Sequence, residues 1–150
     1  EISECLVGSE MCIRDRDAAG FFTAKACGIF TVVITGRRCQ ATERRMKEMQ
    51  VDLLEQGIVD KVGYLKKFIG DRNMNFNELA YMGDDLNDYM GMELAGFKAC
   101  PSDAADEIKE IVDYISTKKG GEGAFRDVMQ YILRQRGQWE QAYKNCYHII

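Results

Sequence analysis

The stretch LAYMGDDLND, residues 79–88, decides the fold, because an apolar run leads directly into a cluster of acids. Residues 79–82 have the length and the continuous apolar character of a strand that is buried on both faces. Gly83 ends this strand, and residues 86–95 have the pattern of a helix that stops at Gly96. A buried strand that feeds a helix through a tight turn is the repeating unit of a parallel sheet.

The same unit recurs along the chain on both sides of this stretch. Short apolar runs alternate with amphipathic segments, which predicts an α/β fold: three α/β/α layers, Rossmann-like, around a parallel sheet. Ligands of such sheets bind at the carboxyl ends of the strands. We expect residues 137–150 to form a tail without a regular element. The predicted strands are 29–34, 51–54, 79–82, 97–100 and 114–115, and the predicted helices are 18–26, 41–50, 60–69, 86–95, 104–111 and 122–136.

Composition excludes several functional classes. The 150 residues are enough for one domain, and the net charge of -4 argues against a nucleic-acid binder that relies on a general basic field. A single His rules out a His-rich metal site. The longest apolar stretch, 26–34, is too short to span a bilayer. The six cysteines form no Cys-x-x-Cys pair, so we expect reduced thiols in a cytoplasmic protein with neither a nucleic-acid nor a membrane partner.

Three carboxylates follow the predicted strand 79–82: Asp84, Asp85 and Asp88, with Asn87 among them. Like charges this close are costly unless a cation compensates them, and hard oxygen ligands suit Mg²⁺. Asp84 and Asp88 are one helical turn apart and should face the same place. An acidic first turn that the helix dipole stabilises is the simpler alternative. Three acids fit that alternative poorly, and the residue order excludes an EF-hand.

Two weaker signals precede this loop. Thr35, Gly36 and Arg37 follow the predicted strand 29–34, where a hydroxyl, an open backbone and a guanidinium could receive a phosphate or another anion. Thr-Gly after a strand is also a common turn. Lys61 opens a predicted helix and could neutralise a phosphate together with a carboxylate. By itself it would be read as a surface lysine.

Taken in order, Thr35, Lys61 and the acidic loop resemble three motifs of the haloacid dehalogenase superfamily of phosphohydrolases. Response-regulator receiver domains use the same residue types but place the acid pair first, which disfavours that alternative. The surrounding residues resemble the small capless branch that acts on 3-deoxy-D-manno-octulosonate 8-phosphate and on related nonulosonate 9-phosphates. This resemblance covers residues 17–136 and rests on ITGRR at 34–38, QG at 56–57, AYMGDDLND at 80–88 and GGEGAFR at 120–126.

The resemblance implies a magnesium-dependent phosphomonoesterase, homotetrameric in the family, that works through an aspartyl-phosphate. A second Asp, two residues after the nucleophile, is the family's general acid and base. By carry-over, Asp84 and Asp88 would hold Mg²⁺, and Asp85 would orient their loop. Thr35 and Lys61 would hold the phosphoryl oxygens. The residues implied to contact the phosphorylated sugar acid are Gly36, Arg37, Arg45 and Gly57.

The chain departs from the family at its beginning. The motif Asp-x-Asp-Gly, which carries the nucleophile, occurs nowhere in the sequence. The string SEMCIRDR at 9–16 resembles translated sequencing-adapter sequence. We therefore expect residues 1–16 to be non-native, one or more opening strands to be missing and this chain to be inactive. The family's tetramer-building hairpin would be lost with them, which puts the assembly of this chain in doubt. We therefore divide the chain into three segments. They are a non-native segment 1–16, a phosphatase core 17–136 and a tail 137–150.

Three functions stay open at this point. Arg37 resembles the octulosonate phosphatases, whereas GGEG at 120–123 resembles the nonulosonate phosphatases, and we favour octulosonate. The third is a non-catalytic module fused to a sugar-acid cytidylyltransferase. The intact loop of Asp84, Asp85 and Asp88 favours an enzyme.

Overall fold

The six strands form one sheet in the computed structural model, which describes residues 5–9 and 15–150. All five neighbouring pairs are parallel, and the strand order is β3-β2-β1-β4-β5-β6. The strands are β1 Cys5–Ser9, β2 Phe30–Thr35, β3 Leu53–Gln56, β4 Leu79–Met82, β5 Phe97–Cys100 and β6 Tyr114–Ile115. The helices are α1 Ala18–Ala26, α2 Gln40–Glu48, α3 Lys61–Asp71, α4 Tyr89–Leu94, α5 Asp106–Lys109, α6 Ala124–Gln135 and α7 Trp139–Tyr147.

Helices cover the sheet on both faces. Along β4, Ala80 and Met82 face a core that includes residues of α1, α2, α6 and α7. Leu79 and Tyr81 face the opposite core, which includes residues of α3, α4 and α5. Successive side chains of β4 therefore alternate between two buried faces of the sheet. The continuous apolar run 79–82 predicted a strand that is buried on both faces. The three-layer α/β/α prediction is confirmed.

The centre of the sheet is occupied by β1, so the expectation that the opening strand is missing is wrong for the sheet. β1 pairs with β2 on one side and with β4 on the other. Its sequence, CLVGS, contains no Asp. A central strand needs apolar or small residues and an extended backbone, and it shows no alternation when both faces are buried, so periodicity missed it. Residues 1–4 and 10–14 lie outside the described part, and a non-native origin of 1–16 stays a prediction.

The C-terminal tail forms α7, which corrects the expectation of an irregular segment. Ala142 is buried in the same core as α1 and α6, and Trp139 packs against that core. The Cys146 thiol donates to the Phe22 carbonyl oxygen at 3.5 Å. Trp139, Ala142 and Cys146 recur at helical spacing, so the signal was present but short.

Other predicted boundaries shift by a few residues. The predicted helix 86–95 divides into a 3₁₀ turn, Leu86–Asp88, and α4, because Asp85 and Asp88 cap that turn reciprocally. The predicted helix 104–111 shortens to α5. The predicted segments 18–26, 79–82, 97–100 and 114–115 coincide with α1, β4, β5 and β6.

Two expectations from the composition concern the cysteines and the membrane-spanning segments. Among residues 5–9 and 15–150, Cys5, Cys27, Cys100 and Cys146 are free thiols. In that same part of the chain, the helices are too short or too polar to cross a bilayer.

Asp52 ties the start of β3 to β2 and α1. Its carboxylate accepts from the Thr31 backbone N–H at 2.8 Å, from the Thr31 hydroxyl at 3.2 Å and from the Lys25 ammonium at 3.1 Å. Burial raises the pKa of Asp52, but these donors outweigh burial and leave the pKa below its usual value.

Replacing Asp52 with Asn should therefore destabilise the fold in a pH-dependent way. We expect a loss of about 1 kcal/mol near neutral pH, measured by urea unfolding. Because the folded pKa is lowered, this contribution is complete above the unfolded value of about 3.9 and fades as the pH falls through the folded value. The difference between the two proteins should thus narrow only below about pH 4. Asp71→Asn, at an exposed pair with Lys67, is the control and should change stability little at any pH. An Asp52→Asn loss that is constant down to the lowest pH would contradict this account.

Candidate active site

The candidate site lies at the carboxyl ends of β2 and β4, on either side of β1. Gly8 of β1 is level with Val33 on one side and Met82 on the other. Thr35 is the last residue of β2, and Asp84 lies two residues after the last residue of β4. Because one strand separates β2 from β4, the ends of these two strands are about 10 Å apart across the end of β1. The sheet thus places a hydroxyl and a carboxyl on opposite sides of one small area.

Asp88 organises the loop that follows β4. Its side chain is completely buried. Each of its two carboxylate oxygens accepts two hydrogen bonds. Oδ1 accepts from the Lys61 ammonium and from the Tyr81 hydroxyl, both at 2.8 Å. Oδ2 accepts from the backbone N–H groups of Asp84 at 3.1 Å and Asp85 at 3.4 Å. The carboxylate thereby joins α3, β4 and the loop.

Gly83 is required because Asp88 folds back over it. A Cβ at position 83 would lie 2.6 Å from the Asp88 Cβ and 2.8 Å from the Met92 sulfur. The loop is also held from outside, since the Asp84 carbonyl oxygen accepts from the Ala105 N–H at 2.9 Å. Asp85 is exposed, and its carboxylate accepts from the Leu86 N–H at 2.8 Å, as a capping residue does.

Lys61 is a buried residue, so the alternative of a surface lysine is wrong. It is the first residue of α3 and only 7% exposed. Asp60 is the N-cap and accepts from the Gly63 N–H at 2.9 Å. Cap and helix start therefore direct the lysine inward, where its ammonium pairs with Asp88. A buried lysine tolerates this position only because the pair is complete.

Thr35 is 8% exposed and is linked to the β3 loop. Its hydroxyl oxygen accepts from the Arg37 N–H at 3.2 Å, and its carbonyl oxygen accepts from the Ile58 N–H at 3.0 Å. Gly57 has a φ of 76°, and a Cβ there would lie 2.9 Å from the Arg38 Nε. The structure thus brings the Thr35 loop and the Gly57 loop into contact.

The other residues implied to contact substrate differ in their surroundings. Gly36 and Arg37 are exposed directly beside Thr35. Arg45 lies on α2 and is half-buried. Its Nη1 atom is enclosed without a hydrogen-bond partner among the described residues. An enclosed donor of this kind is suited to an anionic group, whereas Arg37 can reach solvent.

Asp84 differs electrostatically from Asp88. It is half-buried, and burial raises its pKa first, followed by the charges of Asp88 and Asp85. Within residues 5–9 and 15–150, no group of three His, Cys, Asp or Glu is arranged to hold a metal ion. Mg²⁺ usually takes only one or two protein carboxylates plus water and phosphate oxygens, so the half-buried Asp84, with its backbone held by Asp88, fits it. A divalent cation would relieve the repulsion that raises the pKa of Asp84.

The sequence patterns did not predict two structural features. One is Tyr81, whose only sequence signal is a hydroxyl inside an otherwise apolar strand. The other is the start of α6, where buried Asp17 accepts from the Arg126 N–H at 3.1 Å. A cleft of about 560 Å³ adjoins this helix start and is lined in part by Arg16, Lys118 and Arg126. That cleft does not include Thr35, Lys61 or Asp84 among its lining residues.

Comparisons with known proteins place this geometry in a family. Residues 45–126 match the model of the haloacid dehalogenase-like hydrolases. The chain belongs to this family, whose members similar to it are phosphoric monoester hydrolases. It is 30% identical over 127 residues to the 3-deoxy-D-manno-octulosonate 8-phosphate phosphatase KdsC of Escherichia coli K12, a match that covers 85% of this chain and 68% of that protein.

Solved structures give the same result. A probable YrbI family phosphatase from Pseudomonas syringae superposes with a TM-score of 0.90 at 27% identity, covering 95% of this chain and 91% of that one. The 3-deoxy-D-manno-octulosonate 8-phosphate phosphatase of Moraxella catarrhalis superposes with a TM-score of 0.88, also at 27% identity, covering 93% and 90%. The latter structure is a complex with magnesium, phosphate and KDO.

The close packing at Gly83 is directly testable. Gly83→Ala should destabilise the protein by roughly 1–3 kcal/mol in urea unfolding, because the added methyl group must displace Asp88 or Met92. Gly70→Ala is the matched control, since a Cβ there meets nothing within 4 Å and α3 gains helix propensity. Gly70→Ala should be neutral or stabilising by up to about 1 kcal/mol. Equal effects of the two substitutions would show that Asp88 is not packed over Gly83.

Proposed function

We propose that this chain contains the core of a magnesium-dependent phosphatase that hydrolyses a sugar-acid phosphate, with 3-deoxy-D-manno-octulosonate 8-phosphate as its substrate. The observation that carries the proposal is the buried Lys61–Asp88 pair beside Asp84 at the carboxyl end of β4. A buried ammonium next to a half-buried, destabilised carboxyl is suited to receive a phosphate and a divalent cation together.

Lys61 and Thr35 bind the phosphoryl group in this proposal. An ammonium has three donors, and one of those of Lys61 is used by Asp88, which leaves two for phosphoryl oxygens. Thr35 contributes a hydroxyl from the other side of the β1 end. Together they would neutralise and orient the anion in a place from which burial excludes most water.

Asp84 would bind the Mg²⁺ ion and Asp88 would support that site, with Asp85 keeping the turn in shape through its cap to Leu86. When bound, the ion supplies positive charge that stabilises the transferring phosphoryl group. The raised pKa of Asp84 indicates the charge that a cation there would balance. Asp88, with four donors already on its oxygens, contributes mainly by holding the backbone of Asp84 in place.

The nucleophile is the missing part. β1 contains no Asp, and the Asp-x-Asp-Gly motif is absent, so we propose that the 150-residue chain does not turn over substrate. The alternative of a non-catalytic module accounts for this absence equally well. It does not account for the intact Lys61, Asp84 and Asp88, which a module without chemistry has no need to retain.

The substrate class is supported by the relatives and by two arginines. KdsC of Escherichia coli and the Moraxella catarrhalis structure carry the octulosonate phosphatase name. Arg37 and the enclosed Arg45 would bind the sugar carboxylate. GGEG at 120–123 supports the nonulosonate 9-phosphate alternative. The homotetramer follows from the resemblance and the cytoplasmic location from the cysteine pattern, and both stay predictions.

Removing the Asp84 carboxylate should weaken magnesium binding. In isothermal titration calorimetry of the 150-residue chain, Asp84→Asn should bind Mg²⁺ at least about 10-fold more weakly, since even outer-shell changes cost that much. Because the pKa of Asp84 is raised, Mg²⁺ binding should begin to fail at a pH above the ordinary Asp range of about 3.9 as the solution is acidified. Asp106→Asn, at an exposed acid of α5, is the control and should bind as the parent does. Unchanged binding by Asp84→Asn would remove Asp84 from the metal site.

Catalysis can be tested on a chimera in which the opening segment of the Moraxella catarrhalis enzyme replaces residues 1–16. We expect no phosphate release from the 150-residue chain. The chimera should release phosphate when Mg²⁺ is present, and it should act faster on 3-deoxy-D-manno-octulosonate 8-phosphate than on a nonulosonate 9-phosphate. The opposite ranking would establish the nonulosonate alternative. A folded chimera that binds Mg²⁺ and phosphate but hydrolyses neither substrate would favour the non-catalytic module.

A further inference from the structure

Tyr81 links the hydrophobic core to the candidate site. Its ring is 1% exposed and packs in the core between the sheet and α3 and α4. Its hydroxyl nevertheless donates to the Asp88 Oδ1 at 2.8 Å. This is the same oxygen that accepts from the Lys61 ammonium at 2.8 Å. A core side chain and a site side chain thus share one acceptor.

The surrounding residues leave room for this arrangement. Gly91 of α4 lies against the Tyr81 ring, and a Cβ there would be 3.1 Å from its Cε2 atom. Gly83 leaves the corresponding space for Asp88, whose Cβ would otherwise be 2.6 Å away. The ring is therefore held by close packing, which fixes where its hydroxyl lies. A lysine ammonium, by contrast, sits on four flexible carbons and cannot by itself define where a carboxylate lies.

We propose that Tyr81 is a positioning residue for the phosphoryl site: its hydroxyl fixes the Asp88 oxygen to which Lys61 binds and so sets where the ammonium meets the phosphate. The proposal rests on the proposed function for the phosphate, whereas the placement of Lys61 can be measured without any ligand. Tyr81 touches neither substrate nor metal in this account. It acts through Asp88.

Without the hydroxyl, the balance at Asp88 changes. Oδ1 keeps a single donor, the Lys61 ammonium, while Oδ2 keeps the two backbone N–H groups of Asp84 and Asp85. Oδ1 then loses the donor that packing holds in place, so the position of this oxygen is less sharply defined. The ammonium spends less time in one position, and phosphate binding weakens. Within the described residues the Tyr81 hydroxyl donates to Asp88 and not to the Asp84 carboxylate, so magnesium binding should change less.

The test compares Tyr81→Phe with Tyr64→Phe in the 150-residue chain. Tyr64 packs against the same core, and its replacement also removes one phenol oxygen, but Asp88 does not accept from it. The first readout is hydrogen exchange of the Lys61 ammonium, followed by nitrogen-15 NMR without ligand. The second is the affinity for inorganic phosphate at saturating Mg²⁺, and the third is Mg²⁺ affinity.

Tyr81→Phe should speed exchange of the Lys61 ammonium and weaken phosphate binding, each by about 10-fold, as expected for one lost hydrogen bond to a charged group. Its Mg²⁺ affinity should change by less than about 3-fold. Tyr64→Phe should match the parent in all three. Gly91→Ala keeps the hydroxyl but presses on the Tyr81 ring, so it should also speed hydrogen exchange of the Lys61 ammonium. This variant tests the proposal if Tyr81→Phe folds poorly.

A Lys61 signal in Tyr81→Phe that is identical to that of the parent would overturn the proposal, whatever happens to the melting temperature. A changed Lys61 signal with unchanged phosphate affinity would overturn the link to phosphate. If the parent itself binds no phosphate while the Lys61 signal still responds to Tyr81→Phe, the positioning of Lys61 is supported and the proposed function is the part that fails.

Discussion

The Asp88 carboxylate is the constraint on which the site depends. A completely buried anion would cost several kcal/mol if left unpaired, so the protein must bring donors to it. They come from three places: the start of α3, the middle of β4 and the turn after β4. Removing a single partner of such a group typically costs about 3–5 kcal/mol. The geometry of the strand end is therefore set by the requirement to satisfy one side chain.

The two carboxylates of this loop are in different electrostatic states although they are only four residues apart. Asp88 is compensated by an ammonium, a phenol and two backbone N–H groups. Asp84 is half-buried, and the charges of its neighbours add to the cost of its own burial. Pairs of acids whose surroundings differ in this way commonly divide their roles. Here the division is between a structural anion and a carboxyl that a cation would stabilise.

The parts of the fold that could be predicted are those with local signals. The strand and turn of residues 79–88 were evident because an apolar run, a glycine and a capping acid coincide there. β1 gave no such signal, because a short central strand of small residues has no period. α7 was missed because its spacing covers barely two turns. At the site, the sequence indicated which residues matter, but the burial of Lys61 and the contact of Tyr81 with Asp88 arise from helix and strand packing and leave no trace in local spacing.

The position of β1 separates the requirements of folding from those of chemistry. The sheet holds this strand through backbone hydrogen bonds to β2 and β4 and through small buried residues such as Cys5 and Gly8. Neither type of contact depends on whether the strand ends in an aspartate. A screen that selects variants for expression or thermal stability would therefore retain chains that have the complete architecture but no nucleophile. In this fold, a correct superposition on an active relative is evidence about the scaffold, and activity has to be established from the residues at the end of one strand.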